Sequence, residues 1–434
     1  MMKKILLLLT FLPILLAGSC NSKEEKKMPW DDDLNKEKEK EKEDPGAKTG
    51  ETLPAWSEGY LDIHFLSAGR GECTFYILPD GTTMVVDAGE VFSDDPTTQP
   101  RKPGNLAYSY QTFGTYIKHF LPAASGGMLD YAMMTHFHID HIGELNSANA
   151  VHPQGGYQLT GASGLYEQVP FRKLVDRGYP SYYDDSSIFT PESASTPNYI
   201  QFVRYAIEKK GLKAERFVVG TDSQFQLLGA TKDSYKDNFR IFNHVGNGAG
   251  YYKNSSGQGR VDARMPTGEN GASCGFHLQY GKFDFIAAGD LVSTAQNLQA
   301  YYYRDYVDKL EAFKANHHMA SNSWGSQMQK LAFCPRVIVV QSFGTNKPDP
   351  PVLASVLSGV FENATNNWEK DVYLTKSWDA KMEANKALFS QCKGYGGHIV
   401  IRVAPGGGSF RVYVLKDTDF SYEIKSVSDT YSCQ

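Results

Sequence analysis

The chain has 434 residues, of which 41% are hydrophobic, 13% aromatic and 21% charged, with a formal net charge of -5 at pH 7. Such a composition excludes fibrous and disordered classes and supplies ample apolar material for a sizeable core in one large domain or two to three smaller ones. With no basic excess, whole-molecule attraction to nucleic acid or anionic lipid is not the design, although a local basic groove stays open.

Lys3 and Lys4 precede the apolar run Ile5 to Ala17, interrupted by Thr10 and Pro13. At about 1.5 Å per residue it is too short for the roughly 30 Å of membrane hydrocarbon, so residues 1–19 read as a signal peptide. Ala17, Gly18 and Ser19 lead into Cys20, which resembles the lipobox of bacterial lipoproteins. That resemblance implies lipidation of Cys20, an exported location and attachment to the membrane, periplasmic or cell-surface side, through the acyl chains. Residues 20–54 are dense in Lys, Asp and Glu with few apolar side chains. Too little can be buried there to offset the entropy of ordering, and the segment reads as a charged tether.

From residue 55 the pattern becomes that of a folded domain, expected to run to about residue 425 and to leave 426–434 as a tail. Leu61–Phe65, Cys73–Leu78 and Thr83–Val86 read as strands, the last two joined by Pro79-Asp-Gly81. A helix is expected around Thr112–Phe120, then an apolar strand, Tyr131–Met134. Residues 154–239, rich in Tyr, Ser, Gly and Asp, read as an insertion carrying one helix near Tyr199–Lys210. Strands follow at Arg240–Asn243, Cys274–Tyr280 and Lys282–Ala287. Helical and strand patterns then alternate over Thr294–Arg304, Glu311–Ala315, Arg336–Val340, Val352–Phe361, Asp371–Thr375 and Asp379–Phe389. His398–Val403 and Phe410–Leu415 close the chain as a hairpin. Strands followed by helices, twice over, point to an α+β arrangement of two sheets sandwiched between helices. Cys73, Cys274, Cys334, Cys392 and Cys433 are an odd number without a close pair, which gives no zinc knuckle; Cys73 and Cys274 sit in strands and read as core.

Immediately after Met134, the segment Thr135-His-Phe-His-Ile-Asp-His-Ile-Gly143 sets His136, His138, Asp140 and His141 within six positions. Imidazole and carboxylate are ligands for zinc and similar divalent ions, and one tight turn can present them to two neighbouring ions. The H-x-H-x-D-H pattern resembles motif two of the metallo-β-lactamase superfamily, and other matches follow in order. Asp87 resembles the Asp that organises the metal loop from behind, Asp290 the Asp that bridges two metals, and the pair His317 and His318 the last histidine motif. The nearest resemblance is to the metallo-hydrolase domain of DNA-uptake competence proteins. It rests further on Phe65-Leu-Ser-Ala-Gly-Arg-Gly-Glu72 and on Asn270 and Ser273, and spans about residues 60–145 and 265–350.

This resemblance implies a four-layer αβ/βα sandwich of the metallo-β-lactamase type with a large insertion. It also implies two divalent metal ions, zinc or alternatively manganese, held by His136, His138, Asp140, His141, Asp290, His317 and His318. The activity implied is hydrolysis by a metal-held hydroxide, with Asp140 and Asp290 as the catalytic carboxylates and phosphodiester or related ester bonds as substrate. Nucleic acid is a possible substrate that the net charge does not support. Three departures accompany the match. Met319 and Ala320 precede Ser321 where Gly-Ser is usual; Gly344-Thr-Asn-Lys-Pro-Asp-Pro350 stands where Tyr-Gly-His-Pro is frequent; and the middle histidine of the superfamily has only His244 and His152 as candidates, His277 reading as packing. These departures define the alternative, a lipid-anchored binding or assembly protein that kept the fold with a degenerate site. Lys314, Lys347 and Arg264 are possible contacts for an anionic substrate, though each reads first as an ordinary surface charge. The aromatic stretches Tyr179–Tyr183 and Tyr301–Tyr306 read first as packing.

Overall fold

A computed structural model describes residues 46–92, 99–182, 193–263, 268–323, 335–344, 347–358 and 370–434. The leader, Cys20, the tether up to residue 45, Tyr183, Arg264 and Cys334 lie outside the described residues. In chain order the strands are β1 (Leu61–Phe65), β2 (Thr74–Ile77), β3 (Thr83–Val86), β4 (Leu129–Met134), β5 (Phe171–Asp176) and β6 (Lys213–Arg216), followed by β7 (Phe239–Gly246), β8 (Ala249–Lys253), β9 (Gly259–Ala263), β10 (Gly275–Tyr280) and β11 (Phe283–Ala288). Then come β12 (Ala312–Lys314), β13 (Val337–Val340), β14 (Asp371–Leu374), β15 (Gly394–Tyr395), β16 (His398–Val403), β17 (Ser409–Leu415), β18 (Ile424–Val427) and β19 (Tyr431–Ser432).

Two mixed sheets result. The first has the order β18-β17-β16-β1-β2-β3-β4-β5-β6, with β19 also on β17; the second runs β15-β14-β13-β12-β11-β10-β7-β8-β9. Each has an antiparallel part and a parallel part: β3 to β6 are parallel in the first, β11 to β15 in the second. The parallel strands β3 (TMVV) and β13 (VIVV) are buried along their whole length, as continuous apolar runs require when both sheet faces are covered. Phe65, Tyr76, Phe276 and Phe285 belong to one apolar cluster drawn from both sheets, their rings meeting 5.9 to 6.3 Å apart. A second cluster joins the first sheet to the helices Ser109–Phe120, Gly161–Gln168 and Ser195–Tyr205; a third joins the second sheet to Ser293–Tyr306 and Pro350–Leu357. Each large apolar side chain fully buried in these layers stabilises the fold by about 1.5–3 kcal/mol.

Several expectations shift. Residues 154–239 are built into the first sheet, because Leu174, Val175 and Phe171 of β5 supply apolar faces that pair with β4 and carry β6 in turn. The stretch 47–54 is part of the body: Leu53 is buried and Gly50 donates to the carbonyl of Ile424. The segment 426–434 is no tail, since β19 pairs with β17 and Tyr431 enters the apolar layer drawn from both sheets. The second sheet also carries two strands not expected from the sequence: β7 turns at Asn247 and Gly248 into β8, and β8 pairs with β9, whose glycine and polar residues lie on an exposed edge. Among the described residues no helix is long and apolar enough to cross a membrane.

Candidate metal centre

Parallel strands place their C-terminal ends on one edge, and this chain hangs its chemistry there. Asp87 follows β3, the His136–His141 loop follows β4, Asp290 follows β11, and His317 and His318 follow β12. The loops interlock through backbone hydrogen bonds, Ala88 N–H to the His141 carbonyl, Glu72 N–H to that of Asp140 and Cys274 N–H to that of Thr135. Two glycines permit the approach. A Cβ on Gly89 would lie 1.6 Å from the Asp140 carbonyl oxygen, and one on Gly289 would lie 2.4 Å from Thr135 Oγ1.

His318 Nε2 is 3.3 Å from Asp290 Oδ2 and 3.3 Å from Asp140 Oδ2; His141 Nε2 is 3.2 Å from Asp290 Oδ2. Ligands about 2.0–2.2 Å from a tetrahedral ion are separated by roughly 3.3–3.6 Å, so these spacings match the edges of one coordination shell. Beside them, His136 Nε2 lies 3.1 Å from His138 Nδ1. Two groups of donor atoms have all members within 4.8 Å of one another: Glu72, His141, Asp290 and His318, and His136, His138 and Asp290. Asp290 belongs to both.

The outward nitrogens are each held. Asp87 Oδ2 sits 2.8 Å from His141 Nδ1, and the Gln341 carbonyl 2.9 Å from His318 Nδ1. Thr135 donates its hydroxyl to Asp87, leaving its lone pair to accept from His136 Nδ1 at 3.1 Å. These partners fix the Nδ1–H tautomer in all three rings and aim Nε2 inward, the arrangement in which a histidine binds metal. His141 Nε2, His318 Nε2 and both oxygens of Asp290 are buried without a hydrogen-bond partner. Unsatisfied atoms of this kind cost about 1–3 kcal/mol each, more when charged, unless something binds them. The residues present therefore fit divalent ions.

Charge explains the protonation. Burial disfavours charge on His141, but Asp290, Asp87 and Asp140 outweigh it and hold the imidazolium well above its ordinary range. His318 is likewise opposed by burial, yet Asp290 and Asp140 push it up to about 9. Asp290 stays ionised against burial because His318 and His141 face it. Protons on these two rings thus occupy the place an ion would take.

No protein-family model matches the sequence, and none of the curated proteins matches it. Among solved structures the chain is similar to CmlA, a diiron beta-hydroxylase from Streptomyces venezuelae, with 11% identity and a TM-score of 0.34 over 81% of this chain and 55% of that one. The chain thus spans about half the length of that structure, and a likeness of this degree carries nothing about chemistry.

Among the other residues singled out, Ser273 accepts the backbone N–H of Asp290 at 2.9 Å. Asn270 Nδ2 lies 3.4 Å from His317 Nε2. His317, half-buried and tied to Asn322, reaches Asp290 only at 3.8 Å, so the inner histidine of the pair is His318. His244 does not join: it stacks on Tyr302 at 4.8 Å on the face of the second sheet that carries the third apolar cluster. The phase of β7 sends Phe242 and His244 to that face, away from the loops. His152 stacks on Tyr157, and His277 bonds Tyr302 and Asp284 as packing. Lys314 is no surface charge; it is buried with its ammonium 2.8 Å from Glu72. Tyr182, Tyr302 and Tyr303 are buried packing residues. Glu72 is the residue that the motif reading missed as a site member. It lies 3.2 Å from His318 Nδ1, and the clue was a lone carboxylate among small residues beside an apolar strand.

Proposed function

We propose that the chain is a metal-dependent hydrolase of the metallo-β-lactamase type, its sheets and flanking helices forming the four-layer αβ/βα sandwich, acting on phosphodiester or related ester bonds. The observation that carries this reading is the set of buried inward atoms of His141, His318 and Asp290 without partners, at spacings suited to coordination. Asp140, His141, His318 and Asp290 would hold one ion and His136, His138 and Asp290 its neighbour. Zinc or manganese held there supplies Lewis acidity and brings water toward a neutral pKa.

The chain's own contribution is positional. Asp87, Thr135 and the Gln341 carbonyl keep three imidazoles in a single tautomer. Asp290 faces both donor groups and serves both. His138, Asp140 and His317 are the partly exposed members, so the site opens on their side and a substrate enters there. Asp140, at that mouth, is held ionised against its burial by His141, His318 and Lys347, and orients the attacking water. The lipid anchor at Cys20 would tether this activity to a membrane surface.

The test is the metal content and turnover of the purified chain. About two divalent ions per chain, with hydrolysis of bis(p-nitrophenyl) phosphate falling at least a hundredfold in Asp290→Asn, is the expected result. A folded chain that takes up neither zinc nor manganese would refute the proposal.

A further inference from the structure

We propose that Lys347 is the anion-recognition residue of this site, and that the substrate carries a negative charge beside the scissile bond; the inference rests on the hydrolase reading and deepens it. Lys347 Nζ lies 3.9 Å from Asp140 Oδ2, inside Coulomb range but beyond hydrogen-bond distance, and its side chain is only 14% exposed. It stands at the mouth with His138, Asp140 and His317.

The backbone that carries this lysine is anchored. Its carbonyl accepts from Ser342 Oγ and from Ser377 Oγ at 2.9 Å, while the carbonyl of Pro348 accepts from Lys381 Nζ. The Asp349 N–H is bonded to Met319, which follows the paired histidines. The residue beside the inner histidine and the residue two beyond Lys347 are therefore one connected piece.

Charge decides what the ammonium on this fixed backbone is for. Four carboxylates, Glu72, Asp87, Asp140 and Asp290, bind or back the donor groups. Among the described residues two lysines face them, Lys314 on Glu72 and Lys347 on Asp140. Two divalent ions would neutralise the four carboxylates by themselves, leaving both ammonium groups as surplus. Lys314 is buried on its own partner, so among the described residues Lys347 is the surplus cation at the entrance. An anionic group seated between it and the ions removes that surplus, whereas a neutral ester leaves an ammonium facing two dications.

The experiment uses the zinc-loaded full chain, with inorganic phosphate as the calorimetric probe and Lys347→Met and Lys347→Arg as variants. Phosphate affinity is expected to fall about tenfold in Lys347→Met and to recover partly in Lys347→Arg, with zinc content and thermal midpoint retained. With bis(p-nitrophenyl) phosphate the loss should fall on KM rather than kcat and exceed the loss on a neutral p-nitrophenyl ester. Equal phosphate affinity in native and Lys347→Met chains, or none in the native chain, overturns the proposal. Loss of zinc from Lys347→Met also overturns it, since Lys347 would then be a structural counter-ion of Asp140. A native chain that binds phosphate through Lys347 but turns over no ester keeps this inference and removes the hydrolase.

Discussion

Glu72 and Lys314 form a buried pair behind the inner histidine. Burial raises the Glu72 carboxyl, and Lys314 and His318 more than reverse this; the same carboxylate holds the Lys314 ammonium above its usual range. Removing one partner strands the other's charge, so Glu72→Gln should lower unfolding stability by about 3–5 kcal/mol, and Glu72→Gln with Lys314→Met should regain much of that. Urea denaturation of the single and double variants measures it, and simple additivity would show that the pair is not coupled. The same scale governs metal uptake. Because His141 and His318 are held protonated at neutral pH, an ion must displace about two protons, and affinity should rise with pH until His318 titrates near 9. Calorimetry in buffers of differing ionisation enthalpy counts those protons. The turn that delivers His318 has positive φ at three successive non-glycine residues, His317, His318 and Met319, at 47°, 50° and 60°. Such conformations cost about 1–3 kcal/mol each and persist where the surroundings impose them. The motif was legible because His136, His138, Asp140 and His141 lie within six positions of one segment. Glu72 was not, since its meaning comes only from His318 and Lys314, more than 240 positions away.

Strand ends set the precision of the site. A Cβ on Gly289 would collide with Thr135 Oγ1 and Cβ, and Thr135 holds Asp87 through both its backbone N–H and its hydroxyl. Gly289→Ala should therefore displace Thr135, cut zinc affinity by at least tenfold and leave the sheets paired, a combination that metal titration and circular dichroism distinguish from global unfolding. At the opposite part of the first sheet, β16 opens with His398, whose Nδ1 accepts the Ser67 N–H. Burial holds this imidazole neutral and depresses it to about 4. The unfolded chain takes up the proton near pH 6.5 and the folded chain does not, so stability present above 6.5 is lost as pH falls toward 4. The contribution is about 3 kcal/mol. His398→Asn should flatten that slope between pH 7 and 4.5 in denaturation titrations done with chelator present; an unchanged slope would refute the assignment. Strands with unbroken apolar runs were readable from sequence to within a residue or two. Edge strands β8 and β9 were not, because exposed edges carry little hydrophobic periodicity.

For the whole molecule, ions that bind only the folded state stabilise it by about 2.7 kcal/mol per site at a free concentration a hundred times Kd. The thermal midpoint should accordingly climb with added zinc and fall with EDTA, and a midpoint indifferent to both would argue against a metal centre. The proposed lipid anchor is tested in cells: if Cys20 carries it, Cys20→Ala should move the protein from the membrane pellet to the supernatant of fractionated cells. Doubling of the strand-then-helix pattern was visible in the sequence and corresponds to the two mixed sheets. What stayed hidden was long-range closure: the end of the expected tether, 47–54, and the expected tail, 426–434, join the body, where Thr52 bridges Glu423 and Tyr431 enters the apolar layer between strands of both sheets.

That closure has a temporal side. β1 is flanked by β2 and by β16, Ile63 opposite Ile401, so one edge of β1 lacks its neighbour until residues 398–403, more than 330 positions later, have left the ribosome. At about 5–20 residues per second this interval lasts roughly 20–70 s, during which β1 displays an unpaired apolar edge to chaperones instead of to its partner strand. Early release by a premature stop codon within this interval is therefore a route to aggregation.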